Sequence, residues 1–233
     1  MSVNYILLIL CAILVSLFLI ARVIKGGIFG FLTKILASFM FVISSLYGLM
    51  ENPSIYSLLI CIGLICGMIG DIVLDLKVIY IQDNDVYLNS GMVSFGAGHI
   101  FYITALILYI DSMGAIELYK PLCIAIAISI ALSICILAMT KVIKLNFGKF
   151  FYQSAVYTLL LVTLSCLSVV FAIWYNVANL WFLVIGAVLI LVSDLILSLN
   201  YFGGKEDDKI LIFLNHIIYY MGQILIACFV MFL

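Results

Sequence analysis

The chain predicts an all-α, polytopic membrane protein: a bundle of eight transmembrane helices. Three observations carry that reading. Of its 233 residues, 68% are hydrophobic and only 9% charged, with a mean hydropathy of +1.41, far outside the usage of a water-soluble domain. Eight apolar runs can be marked between polar breaks, each near the roughly 20 residues a helix needs to cross the hydrocarbon core. The breaks are too short for a soluble domain, so residues 1–233 read as a single transmembrane helical-bundle domain.

The first span, 4–21, has no basic residue ahead of its apolar core. It ends at Ala21-Arg22 without a small-x-small cleavage pattern, so it reads as a helix and not as a signal peptide. The second, 28–50, carries Lys34, and the third, 55–76, follows Pro53 and holds Asp71 and Asp75. The fourth, 88–110, brings His99 and Tyr102, while the fifth, 119–140, has Pro121 near its start, where proline is tolerated. The sixth, 150–173, contributes no candidate site residue. The seventh, 178–200, carries Ser193, Asp194 and Ser198, and the eighth, 210–232, carries His216, Tyr219, Tyr220 and Gln223. Runs of this length exclude strands.

Charge orients the bundle. The breaks after spans one, three, five and seven hold Arg22, Lys25, Lys77, Lys141, Lys144, Lys149, Lys205 and Lys209, whereas the opposite side holds only Lys120. By the positive-inside rule, the basic loops face the cytoplasm of a cell-membrane protein and both termini lie outside. The seven cysteines sit in apolar runs without paired spacing and read as small packing residues. With only two histidines, a three-histidine catalytic zinc site cannot be built from this chain alone. No metal or cofactor is demanded. Low-complexity tracts and basic nucleic-acid patches are absent, so no nucleic-acid partner is expected.

Carboxylates at membrane depth are the lead to function. On insertion scales an ionisable side chain there costs about 2.5–3.5 kcal/mol, so it normally faces a polar cavity and takes part in chemistry or transport. At about 1.5 Å per helical residue, Asp71 lies about 8 Å from the cytoplasmic end of its span, Asp194 and Lys34 about 9 Å, and His99 about 16 Å. Span eight brings His216, Tyr219, Tyr220 and Gln223 to between about 9 and 20 Å. The pairs Asp71/Asp75, Asp194/Ser198, His99/Tyr102 and Tyr219/Gln223 each share a helical face. These positions outline a polar pocket open to the cytoplasm. Asp75 is expected at the headgroup layer, the Lys34 stem is long enough to snorkel to the interface, and His216 reads as ordinary packing. Asp71 and Asp194 have short stems and cannot escape in that way.

Four segments carry a family likeness: Gly70-Asp71 with Leu74, His99-Ile100-Phe101-Tyr102, Gly186-Ala187 with Ser193-Asp194, and Tyr219-Tyr220-Met221-Gly222-Gln223. In this order and spacing, with Lys34 matching a lysine of the second helix, the chain resembles the YhhN-like lysoplasmalogenase family of eight-helix membrane proteins. It departs from the family at Ile35, where proline is frequent, and in the extra polar residues Asp75 and His216.

The resemblance implies hydrolysis of the vinyl ether bond of a lysoplasmalogen, a lysophospholipid drawn from the membrane lipid, to a fatty aldehyde and glycerophosphoethanolamine or glycerophosphocholine. An enol ether opens by protonation of carbon, water adds to the oxocarbenium ion, and the hemiacetal collapses. That route needs a general acid and a nearby anion. Two carboxyl groups sharing one water-poor site do not both ionise readily, which leaves one with a proton to give. Asp71 and Asp194 are therefore the expected acid and base, in unassigned order, with His99 orienting or relaying. Tyr102, Ser193, Tyr219 and Gln223 are expected to position substrate or water, and Lys34 to meet the phosphate.

The main alternative is a proton- or ion-coupled transporter of small molecules or lipids using the same aspartates. Its usual pointers, an inverted repeat and proline-broken spans in matched halves, are not evident. An intramembrane aspartyl protease fits worse, because its glycine-x-glycine-aspartate motif lacks the first glycine at Met68-Ile69-Gly70-Asp71. A purely structural bundle seldom holds two acids at this depth.

Overall fold

Short polar or glycine-containing breaks cut the apolar chain into helices that reverse direction at every turn. The computed structural model describes residues 3–114, 117–205 and 208–233. Among these, every regular element is helical: α1 (Val3–Ile24), α2 (Gly27–Glu51), α3 (Ile55–Ile79), α4 (Asn84–Ser112), α5 (Tyr119–Val142), α6 (Phe151–Tyr175), α7 (Leu180–Phe202) and α8 (Lys209–Met231), with single 3-10 turns at Ile81–Asp83 and Gly148–Phe150. All eight are long and apolar enough to cross a membrane. The protein is a multi-pass membrane protein.

Local chemistry sets the boundaries. Gly26 and Gly27 take φ values of 60° and 54° in the tight turn between α1 and α2, a conformation glycine adopts without penalty. The Ser54 hydroxyl accepts from the Ser57 amide at 3.1 Å and caps α3. Asp208 accepts from the amides of Ile210 and Leu211 and caps α8. The expected spans lie inside the observed helices to within a few residues. The largest difference is α4, which starts at Asn84 rather than 88. A helix satisfies its own backbone groups and so can run past the apolar slab, and Asp85 in the first turn suits the positive end of the helix dipole.

Six helices close a ring in the order α2, α3, α4, α6, α7, α8 and back to α2. Outside it, α1 lies against α2 and α8, and α5 lies against α6. Close crossings at glycines hold the ring. A Cβ on Gly98 would stand 2.9 Å from the Gly63 carbonyl oxygen, joining α3 to α4, and one on Gly222 would stand 2.9 Å from the Gly186 carbonyl oxygen, joining α7 to α8. Such small-residue contacts replace the hydrophobic drive that helices in lipid do not have.

The outer faces carry exposed Ile13, Leu17 and Ile20 on α1 and Ile126, Ile130 and Ile134 on α5, as a lipid-facing surface requires. Cys123 and Cys135 lie on that exposed surface too, so two of the cysteines expected to pack inside do not. Within the ring, Ile60, Leu64, Leu106, Ile110, Phe171, Leu183, Ile226 and Phe229 fill the half nearer the chain termini. The other half, toward the basic loops, holds the charges.

Candidate functional site

Helix α2 supplies Lys34 and Ser38, one turn apart on the face that looks into the ring, and both are buried. On α3, Asp71 and Asp75 are likewise one turn apart and each is 2% exposed. The Lys34 Nζ lies 3.0 Å from Asp75 Oδ1 and 3.3 Å from Asp71 Oδ1. From the end of α1, Arg22 reaches back and clamps Asp75 with two nitrogens, at 3.0 and 3.3 Å. Two cations thus face two carboxylates.

This arrangement corrects the expectation for Asp75. Asp75 is not at the headgroup layer but buried in an ion pair. Its depth from the end of α3 is that of a surface residue, but Arg22 and Lys34 both turn inward to meet it. Nor does Lys34 snorkel, because its ammonium is held by the carboxylates that replace water around it.

Asp71 is further held by neutral donors. Ser38 Oγ donates to Asp71 Oδ2 at 2.6 Å, and the Tyr219 hydroxyl donates to the same oxygen at 3.0 Å. A chain of hydrogen bonds stands behind Tyr219: Gln223 Nε2 donates to the Tyr219 oxygen at 3.1 Å, and the Tyr102 hydroxyl donates to Gln223 Oε1 at 3.1 Å. Gly67 makes room for this chain, since a Cβ there would meet Gln223 Nε2 at 3.1 Å. Every donor in the relay from Tyr102 points toward Asp71, which fixes that carboxylate as an acceptor. Tyr220 donates to the Lys34 carbonyl at 3.3 Å and lies 2.8 Å from Ser38 Oγ.

Across the ring, Asp194 on α7 accepts a 2.5 Å hydrogen bond from the Tyr157 hydroxyl of α6. Its donor is a neutral phenol where Asp71 and Asp75 have cations. Tyr157 also stands edge-on to His99, with ring centroids 5.6 Å apart. His99 Nδ1 donates to the Phe95 carbonyl at 2.5 Å. A carbonyl can only accept, so this bond places the proton on Nδ1 and leaves Nε2 an acceptor. That Nε2 is buried without a hydrogen-bond partner among the described residues. Ser193 is tied to α8 instead, since Asn215 Nδ2 donates to its carbonyl at 2.8 Å and to its Oγ at 2.9 Å. His216 donates from Nδ1 to the Ile212 carbonyl at 2.7 Å and stands edge-on to Phe18.

Asp71, Asp194, Lys34, Asp75, Ser193, His216, Asn215 and Tyr219 share the wall of a cavity of about 30 Å³, room for one or two water molecules. A second cavity, of about 60 Å³, borders Asp194 from the other side. It is mostly apolar, with Leu88, Met92, Leu161, Leu191 and Leu195 beside Tyr157. Asp194 therefore stands on a seam between a polar and an apolar space.

The structure gathers the sequence candidates in two groups: Lys34, Asp71, Tyr219, Gln223 and Tyr102 in one network, and Asp194 with Tyr157 and His99 in the other. Ser38, Arg22 and Tyr157 were not singled out by sequence. Ser38 could have been found from its one-turn spacing to Lys34, and Tyr157 from its depth in α6, about 9 Å from the helix end, near that of Asp194 in α7. Arg22 counts as a loop charge in sequence and gives no such signal. Among the described residues no group of three or more His, Cys, Asp or Glu is placed to hold a metal ion.

Eight spanning helices around a buried, carboxylate-bearing polar cluster define the class: a multi-pass membrane protein with an internal polar site. The chain belongs to the YhhN family, whose model matches residues 29–230. The match includes every site residue above except Arg22. No curated protein and no solved structure matches the chain.

Proposed function

We propose that the protein hydrolyses the vinyl ether bond of lysoplasmalogens, releasing a fatty aldehyde and glycerophosphoethanolamine or glycerophosphocholine, with its basic loops in the cytoplasm. The observation that carries this reading is the position of Asp194, on the wall between a polar cavity that also holds Asp71 and a cavity lined by leucines. A lysoplasmalogen has its vinyl ether at the same kind of boundary, between glycerol and a long chain. Membership of the YhhN family supports the reading.

Charge balance orders the two acids. Asp71 and Asp75 face the cations of Lys34 and Arg22 and serve as anions, because a buried carboxylate paired with a cation gains by staying ionised. Asp194, held by a phenol, is the group that can carry a proton in a water-poor site. Asp194 gives that proton to the vinyl carbon farther from oxygen, and positive charge develops on the carbon attached to oxygen. The Asp71 carboxylate, fixed by Ser38 and Tyr219, stabilises this oxocarbenium ion. Water then adds to the charged carbon and passes its proton to Asp71. The hemiacetal then collapses: the glycerol oxygen leaves with the proton held by Asp71, and the hydroxyl proton released as the aldehyde carbonyl forms returns to Asp194, which restores both groups.

The test is aldehyde release by detergent-purified protein from lysoplasmalogen and from its saturated alkyl-ether analogue. Aldehyde is expected from the vinyl ether alone, falling about 10²-fold or more in Asp194→Asn. Well-folded protein that releases none would overturn the proposal.

A further inference from the structure

Tyr157 faces two spaces. Its hydroxyl holds Asp194 in the 60 Å³ cavity, and its ring lines a larger apolar groove of about 450 Å³ on the outer face between α4 and α6. Met92 also borders both. The floor of the groove is formed by Gly96 and Ala97 on α4 and by Leu160 on α6, with Val93, Ile100 and Val156 on its rim. Gly96 leaves the groove deep. A Cβ there would meet only Leu160 and the Tyr157 ring, at 3.7 and 3.8 Å. Val93, Ile100 and Val156 are exposed, so in a bilayer this groove opens sideways to lipid tails.

From this we infer that the α4–α6 groove is the lateral seat of a single long alkyl chain, which reaches the acid Asp194 by passing Tyr157. The occupant follows from the chemistry of the groove wall. The groove wall is apolar except at the end toward the basic loops, where Asn89 and Gln153 line it, and it opens to the membrane interior, which suits a long apolar chain with a polar head. Met92 and Tyr157 form the wall it shares with the cavity that holds Asp194, so a chain seated in it lies next to the reacting group and is separated from it by these two side chains. A second apolar groove of about 360 Å³, between α5 and α7, also touches the Asp194 cavity, through Phe147, Thr158, Leu195 and Ser198. None of these four side chains is bonded to the Asp194 carboxyl, whereas Tyr157 is. The α4–α6 route therefore couples the presence of a chain to the hydrogen bond on the acid: a chain that displaces the Tyr157 ring changes the bond at Asp194.

The inference rests on the lysoplasmalogenase reading for its substrate but not for its site, and the experiment separates the two. A non-hydrolysable alkyl-ether lysolipid with a diazirine in its tail is photolysed on the intact protein in nanodiscs, and the labelled residues are mapped by mass spectrometry. Labels are expected in 92–100 and 152–160, and competition by unlabelled lysolipid removes them. Labels concentrated in 135–145 and 192–199 would overturn the inference whether or not the protein cleaves vinyl ethers. Labels in the expected segments on a protein that releases no aldehyde would uphold it and overturn the hydrolase reading instead. In parallel, Gly96→Phe and Ala97→Phe fill the groove. The ratio of kcat/KM for a long-chain to a short-chain vinyl ether is expected to fall about tenfold or more, as it would if two methylenes lost their burial, while Cys135→Phe in the other groove leaves the ratio as it was. A ratio unchanged in both α4 variants, or lowered only by Cys135→Phe, would overturn the inference.

Discussion

Removal of the Lys34 ammonium tests whether charge balance holds the polar half together. In Lys34→Met, Asp71 loses the cation at 3.3 Å and Asp75 the one at 3.0 Å, though Arg22 still clamps Asp75. At an effective dielectric of about 20, each of these contacts is worth about 5 kcal/mol of attraction. Desolvation of the three groups offsets much of that sum, and breaking a buried pair by removing one partner costs about 3–5 kcal/mol. For a chain of this size, roughly 2–4 °C per kcal/mol converts that cost into a fall in Tm of about 6–20 °C. Buried Cys11, Cys61 and Cys228 provide the assay, because a thiol-reactive dye reports their exposure during a thermal ramp in detergent. Adding Asp71→Asn to Lys34→Met removes the stranded carboxylate while the Arg22–Asp75 pair survives, and the side-chain carbonyl of the introduced asparagine can still accept from Ser38 and Tyr219. The double variant is expected to regain at least half of the lost Tm while remaining inactive. If Lys34→Met melts within about 2 °C of wild type, less than about 1 kcal/mol, or if the two losses simply add, the charge-balance argument is wrong.

Three further outcomes are expected. Tyr157→Phe deletes the one side-chain donor to the Asp194 carboxyl among the described residues and should lower turnover about tenfold with little change in Tm, since one hydrogen bond is worth about 1 kcal/mol; unchanged kcat would remove Tyr157 from the site. Gly222→Ala forces a Cβ to 2.8 Å from Ile190 Cγ1 and 2.9 Å from the Gly186 oxygen, and overpacking of that kind should cost about 1–3 kcal/mol, whereas Gly96→Ala, with room for a methyl, should melt near wild type; equal melting of the two would show that the α7–α8 crossing is not tight. Turnover should survive exhaustive chelation because proton transfer between carboxyls needs no metal, and loss of activity restored by one added metal ion would refute this.

Much of the fold was legible because a membrane reduces the problem to counting apolar runs. The charges that break those runs also mark the turns, which is why the eight spans fall where the helices do. What the runs cannot encode is lateral order. The ring of six with α1 and α5 outside depends on which faces carry small residues, as at Gly63 with Gly98 and Gly186 with Gly222, and that is a property of pairs. The site divides in the same way. Asp71, Asp194, His99 and Tyr219 stand out in sequence because polar residues at depth are costly, and the structure places them in the polar half of the ring. Tyr157 was hidden because a phenol is at home in an apolar helix and only its partner gives it meaning. Asp75 was misplaced because depth along its own helix says nothing of the two cations that come to it from α1 and α2.

Arg22 accounts for the position of α1. Lys34, Asp71 and Asp75 on the ring helices would by themselves bury one cation against two carboxylates, a net charge of −1 in a medium where an unmatched charge costs several kcal/mol. Arg22 supplies the missing charge from outside the ring, and it does so at 14% side-chain exposure, partly wet and so cheaper to bury than a cation in the interior. Gly30 allows the approach: a Cβ on α2 would stand 3.5 Å from the Arg22 Cδ and 3.8 Å from its Nη1, and any larger side chain would lie in the path of the guanidinium. The docking of α1 is thus coupled to the ionisation of the site. With Arg22 in place, Asp75 is satisfied by its own cation, and the Lys34 ammonium is shared with Asp71, which lies beside it on the cavity wall. An Arg22→Gln variant would make Asp75 compete for Lys34 and draw it away from Asp71. Loss of turnover exceeding loss of Tm is the expected result, and a variant with full activity at a lowered Tm would confine Arg22 to holding α1.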